Sequence, residues 1–211
     1  PKAMLEFHCL LYYSLDMKLC ILGDEVLCQK AEPVEEINDN TRILIEEMFK
    51  TMFASNGVGL AAPQIGLPKR LFVLQADDEV KRVFINPHII ATSPETCAFE
   101  EGCLSVPQIY AEVERPEKIS VQALDEKGKS FTLDADGYLA RIIQHEYDHL
   151  EGILFIDRID PDLKKKAEET IIRREEKKAL KEKEKERKRA KIEAAKHKNK
   201  SEALIEKSNI E

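Results

Sequence analysis

The chain has 211 residues, 43% of them hydrophobic and 35% charged, with a formal net charge of −7, which gives one domain of ordinary size with room for an appendage. Its five cysteines (Cys9, Cys20, Cys28, Cys97 and Cys103) form no CxxC pair; an odd number at irregular spacing excludes a disulfide framework and reads as a reducing, cytoplasmic compartment. No apolar run approaches the ~20 residues of a membrane span, and the start lacks a clean apolar stretch with a small-residue cleavage site, so neither a membrane segment nor a signal peptide is expected.

Residues 1–16 are apolar in part but broken by Glu6, His8 and Asp16. They are set apart as an N-terminal extension, ahead of a body at 17–160. The segment 39–55 places Leu44, Met48, Met52 and Ile45, Phe49, Phe53 at helical spacing. Asp39 or Asn40 is the expected cap and Asn56-Gly57 the left-handed stop. The Gly- and Ala-rich stretch "GVGLAAPQIGLP" follows. Strand-like runs then occupy 70–76, 83–90, 111–116, 118–125 and 130–135, with a hairpin turn at "DEKG", 125–128. Helix resumes at Gly137 and runs to Leu150, with Gly152 as terminator. Leu139, Ile142, Ile143, Tyr147 and Leu150 make it apolar on most faces, which predicts a buried helix with sheets on its sides. The fold class is α+β: a central buried helix surrounded by antiparallel β-sheets, plus an N-terminal helix and a charged C-terminal helical extension.

That extension, 161–211, carries 18 Lys/Arg against 12 Asp/Glu, leaving 15 basic and 28 acidic residues in 1–160. An acidic body thus precedes a basic tail. The tail has no aromatic residue and is rich in helix formers, with pairs such as Glu169/Arg173 and Glu184/Lys188 in the favourable i, i+4 order. Beyond Leu180 its apolar stripe disappears, so a solvated helix is expected.

The central helix contains "QHEYDHLEG", residues 144–152. His145 and His149, four positions apart, share one helical face, with Glu146 beside them. Two histidines and a glutamate inside a core are costly without a compensating charge, which a divalent cation supplies. A catalytic metal takes three protein ligands and keeps one position open. A third histidine six residues after His149 would complete one protease pattern, but Phe155 stands there and has no ligand atom. Glu168 and Glu169 lie at a plausible distance downstream, in a run too densely charged for the spacing to carry weight. Upstream, "EGCLSVP" at 101–107 offers Cys103.

Three segments together, "GVGLAAPQ" (57–64), "EGCLSVP" (101–107) and "QHEYDHLEG" (144–152), resemble the three signature motifs of bacterial peptide deformylases, in order and in approximate spacing. The likeness covers roughly 18–160. "ILGDEVLCQKAEPV" adds weaker support, with Glu25 where the family often has proline.

The resemblance implies a metal-dependent amidase that removes formyl from the N-formylmethionine of nascent polypeptides and releases formate. It places the ligands on Cys103, His145 and His149. The implied ion is Fe2+, replaceable by Zn2+, Ni2+ or Co2+. Glu146 becomes the general base and then acid. The Gln64 side-chain amide and the Leu104 backbone N–H become donors to the developing oxyanion. The methionine side chain needs an unbranched apolar pocket, for which Val58, Phe99, Tyr138 and Ile142 are the expected lining. Gly59 and Gly102 would let the peptide backbone pair as an added strand. Arg141, one turn before His145, reads as a solvated or ion-paired residue. Tyr110 stands where some relatives carry arginine. Formylated nascent chains are the expected partners, with ribosomal RNA contacted through the basic tail; neither membrane nor DNA is expected.

Overall fold

The structure is a computed structural model that describes residues 17–208, with side chains described through Arg189. The N-terminal extension at 1–16 lies outside the described residues. The chain divides into two compact units, one up to Ala167 and one from Glu168 on.

In the first unit, helix α1 (Asp39–Ala54) buries Leu44, Ile45, Met48, Phe49 and Met52, the stripe expected from spacing except for Phe53, which is 42% exposed in the last turn. These side chains form one cluster with Leu60, Leu71, Val73 and Ile85. The cap is Asn38, ahead of the expected Asp39 or Asn40. Its Oδ1 accepts from the Thr41 N–H at 3.2 Å, while the Asn38 N–H donates to Thr41 Oγ1 at 3.4 Å. This reciprocal pair requires a hydroxyl three residues after the cap, which only the Asn38/Thr41 register provides. At the other end Asn56 takes a left-handed φ of 55° and the Gly57 N–H closes on Met52 O at 2.9 Å.

Five strands form an antiparallel sheet in the order β1 (Gly59–Ala61), β2 (Leu71–Gln75), β3 (Lys81–Thr92), β6 (Lys118–Leu124) and β7 (Ser130–Asp136). The β6–β7 hairpin turns at Asp125–Gly128 as predicted, with Gly128 left-handed. β4 (Thr96–Cys103) and β5 (Val106–Pro116) pair separately as a two-stranded sheet. β1 and β4 were not among the expected strands. β1 has only three residues, and glycine and alanine are weak strand formers. β4 is an edge whose side chains are mostly exposed or half-buried, so it lacks a clean apolar alternation. β3 runs longer than expected because it bulges at Asn86–Pro87, where a proline does not interrupt the ladder.

Helix α2 (Gly137–Leu150) packs on β1, β2 and β7 of the larger sheet. Ile142, Ile143 and Leu150 join Phe72, Phe84 and Val121 in the second core cluster. Gly152 ends the helix with φ 73°, and a Cβ there would come within 2.7 Å of Cys28 O, so both conformation and space call for glycine. Burial all round is as expected, but its composition is not purely apolar: Arg141, Gln144, Glu146, Asp148 and His149 are buried alongside the aliphatic residues. Charged groups are rarely retained in such positions unless paired.

The last helix, α3, spans Pro161–Ser208. Near its start Ala167 is buried while Leu163 is exposed. In the second unit every residue from Ile172 to Arg189 is exposed, with Glu175–Lys178 and Glu182–Lys185 ion pairs along the surface. No described helix is long and apolar enough to cross a membrane.

Candidate metal centre

Three elements converge at the site, α2 among them. The helix projects His145 and His149 from one face, their rings 5.2 Å apart. β4 ends at Cys103, where the chain turns through Leu104 and Ser105 into β5. The Ala62–Ile65 turn after β1 delivers Gln64. A strap at 20–22 holds the last two together, through Cys20 N–H to Gln64 O and Leu22 N–H to Ser105 O, both 2.8 Å.

The Cys103 Sγ and one nitrogen from each of His145 and His149 all lie within 4.8 Å of one another. Cys103 Sγ is 3.3 Å from His149 Nε2. The His145 ring is fixed from behind, since its Nδ1 meets Glu101 Oε2 at 2.8 Å, which leaves Nε2 for the shared point. Phe155, where a third histidine would stand in the protease pattern, stacks on the His145 ring at 6.1 Å. One thiolate and two imidazoles suit Zn, Fe, Ni or Co rather than Mg or Ca. The residues therefore fit a divalent transition metal.

Glu146 is buried against this point, and its Oε2 has no hydrogen-bond partner. Burial, the largest influence, pushes its carboxyl up to about 7. Burial likewise pushes His149 well below the usual histidine range. Burial disfavours the His145 cation too, but bonds to Cys103 and Glu101 outweigh it and push that ring up.

Gln64 is 1% exposed. Its Oε1 accepts from the Ala61 N–H at 2.8 Å, which aims Nε2 at Cys103 Sγ (3.5 Å) and Ser105 Oγ (3.3 Å). The Ser105 N–H also donates to Cys103 Sγ at 3.4 Å.

A cleft of about 480 Å³ opens over the site. Val58, Gly59, Gln64, Phe99, Gly102, Cys103, Leu104, Tyr138, Ile142, His145 and Glu146 all line it; His149 is buried beneath. The residues that the resemblance assigned to the site are thus brought together, while Glu168 and Glu169 are absent from the ligand group and the cleft lining. The two glycines have a tighter role than expected. A Cβ on Gly59 would sit 2.3 Å from Glu146 Oε1, and one on Gly102 would sit 2.6 Å from the Tyr110 ring.

Sequence reasoning missed the charges behind the ligands. Glu101 accepts from Arg115 through both oxygens and from Arg141 Nη1 at 2.9 Å. Burial opposes its charge, but Arg115 and His145 together hold it well below the usual carboxylate range. Arg141 is ion-paired and buried, donating also to Val113 O and Cys97 O. Asp148 accepts from Arg115 Nη1 and Arg158 Nε, each at 2.6 Å. The available signal was a helix predicted to be buried that nonetheless carries Arg141 and Asp148, which must then find partners.

A family model for polypeptide deformylase matches residues 17–166. The chain belongs to the peptide deformylase family. This deformylase is 55% identical over 144 residues to the peptide deformylase of Treponema pallidum, spanning 68% of this chain and 88% of the relative. Against peptide deformylase 1 of Clostridium perfringens it is 55% identical over 135 residues, 64% of this chain and 91% of the relative. The crystal structure of a peptide deformylase from Legionella pneumophila superposes with a TM-score of 0.74 at 41% identity, covering 78% of this chain and 98% of that one. The Synechococcus elongatus enzyme in complex with actinonin gives 0.70 at 44%, covering 73% and 85%. The deformylase is a hydrolytic metalloenzyme that removes the N-formyl group of nascent peptides.

Proposed function

We propose that Cys103, His145 and His149 hold a single Fe2+ ion, replaceable by Zn2+, Ni2+ or Co2+, and that Glu146 moves the protons of the reaction. The reading rests on one observation: a thiol and two imidazoles from separate segments meet within 4.8 Å beside a buried carboxyl with an unpartnered oxygen. When bound, the ion supplies the Lewis acidity that makes water nucleophilic near neutral pH. Glu146 takes the proton of the attacking water and returns one to the departing amine nitrogen. The Gln64 amide and the Leu104 backbone N–H donate to the carbonyl oxygen as it becomes negative, each worth about 3–4 kcal/mol. The ring of Gln64 contacts fixes its amide without adding a charge beside the thiolate.

The methionine side chain occupies the apolar part of the cleft, against Val58, Phe99, Tyr138 and Ile142. The peptide backbone runs as an added strand between the edges of β1 and β4, past Gly59 and Gly102. Release of formate from formyl-Met-Ala-Ser, with no cleavage of the unformylated peptide, is the expected result for the purified protein. Backbone cleavage would favour a metalloprotease built on the same helix.

The Gly59 contact leads to a specific expectation. Alanine there displaces the Glu146 carboxylate by a fraction of its length, and misplacement of about 1 Å costs on the order of 100-fold. Gly59→Ala is therefore expected to lower kcat by about that factor with metal content unchanged, as read by formate release and metal analysis.

The tail is the surface for an anionic partner, ribosomal RNA close to where nascent chains emerge in the cytoplasm. Its excess of six basic residues follows an acidic body, and Ile172–Arg189 are exposed. Full-length protein is expected to co-sediment with ribosomes at low salt and to dissociate as salt rises, while residues 1–162 alone do not bind. Equal retention of the two would remove the tail from the interaction.

A further inference from the structure

The metal site is assembled from two arms. The thiol arrives on the two-stranded β4–β5 sheet, and the histidines arrive on α2, which packs on β1, β2 and β7 of the other sheet. Side chains join the arms, and Arg115 stands at the junction. It is 3% exposed on β5. Its Nε and Nη2 engage both oxygens of Glu101, at 2.6 and 2.9 Å, and its Nη1 engages Asp148 Oδ2 at 2.6 Å.

Each of those carboxylates is tied to the ligands. Glu101 lies two residues before Cys103 and holds His145 Nδ1 at 2.8 Å. Asp148 immediately precedes His149. One planar guanidinium, with donors in a fixed fork, therefore ties the carboxylate beside the sulfur-bearing strand end to the carboxylate that precedes His149 on the helix. Arg141 crosses the same gap from the helix side, and Arg158 closes the far side of Asp148. Without Arg115 each carboxylate still keeps an arginine, so the charges stay paired, and Glu101 still reaches Arg141 and His145 on the helix, but the tie from β5 to Asp148 beside His149 is lost.

We propose that Arg115 is a positioning residue that clamps the two arms of the metal site, so that it governs how long the ion stays rather than how fast bound substrate reacts. The inference rests on the ligand assignment above. Partners one layer behind metal ligands typically change metal affinity by about 10–100-fold when removed. Arg70 supplies the comparison: it is equally a buried arginine, paired with Glu151 at 2.6 Å and with Pro87 O, away from the cleft.

The test measures release of Zn2+ from fully loaded protein to a chelator, for wild type, Arg115→Lys, Asp148→Asn and Arg70→Lys, with melting temperatures of the metal-free proteins alongside. Arg115→Lys and Asp148→Asn are expected to release the ion about 10–100-fold faster, with kcat of the freshly loaded enzymes within a few-fold of wild type. Arg70→Lys is expected to lower the melting temperature comparably and release at the wild-type rate. Wild-type release from both Arg115→Lys and Asp148→Asn would overturn the clamp while leaving the ligand assignment intact. Release that follows melting temperature across all three variants would overturn it as well, in favour of a purely structural role. Failure of wild type to take up Zn2+ at this site would overturn the ligand assignment and the clamp together.

Discussion

Cys103→Ala is expected to yield a folded protein with little bound metal and with deformylation reduced by more than about a hundredfold. Three protein ligands with one open position is the usual catalytic arrangement, and this substitution leaves two imidazoles on one helix. It also removes the anionic ligand, so the ion would keep its full charge in a site where His149 and Glu146 are buried. The expected loss therefore exceeds the 10–100-fold typical of changes one layer further out. The fold has little reason to fail, because Cys103 is half-buried at a strand end and contributes to neither core cluster. Metal content after anaerobic purification, read beside formate release and circular dichroism, checks this. A fully loaded and active Cys103→Ala protein would remove sulfur from the site.

Glu146→Gln separates chemistry from assembly. Glutamine keeps the size of the side chain and fits the same pocket against Gly59, where the carboxylate lies so close that no Cβ has room. It cannot accept the proton of water. General acid–base groups contribute about 10²–10⁴-fold, and kcat is expected to fall within that range while KM and metal content stay near wild type. Glu146 is suited to the role because burial, its largest influence, pushes its carboxyl up to about 7. Near that value a group both takes and returns a proton at neutral pH. A Glu146→Gln enzyme that turns over at the wild-type rate with full metal would show that another group carries the proton. The contrast between the two variants, one losing metal and the other keeping it, distinguishes a ligand from a base on the same few residues of chain.

Much of this architecture was legible because it obeys local periodicity. The apolar rows of α1 and α2, the helix-forming tail and five of the seven strands repeat at spacings that one segment displays by itself. β1 and β4 escaped because a strand of three small residues has no period, and an exposed edge has no apolar alternation. The cap of α1 fell on Asn38 rather than on Asp39 or Asn40 because three neighbouring side chains can cap, and only the hydroxyl of Thr41 selects Asn38. At the site, the helical pair His145/His149 announced itself by spacing, whereas Cys103 depended on the likeness of three segments. The network of Glu101, Arg115 and Asp148 left no such trace. Its pairs join residues 14 and 33 positions apart, through a hairpin and across two elements, so no short stretch of sequence contains it. Charged residues on a helix predicted to be buried were the one hint, and they signal that partners exist without naming them.

The central claim is that one sulfur and two imidazoles share a single ion. X-ray absorption at the zinc edge of the Zn2+-loaded protein tests it most directly. One sulfur neighbour at about 2.3 Å and two nitrogens at about 2.0–2.1 Å are predicted, with the sulfur signal abolished in Cys103→Ala. A shell of nitrogen and oxygen alone, or a sulfur signal that survives in Cys103→Ala, would contradict the account.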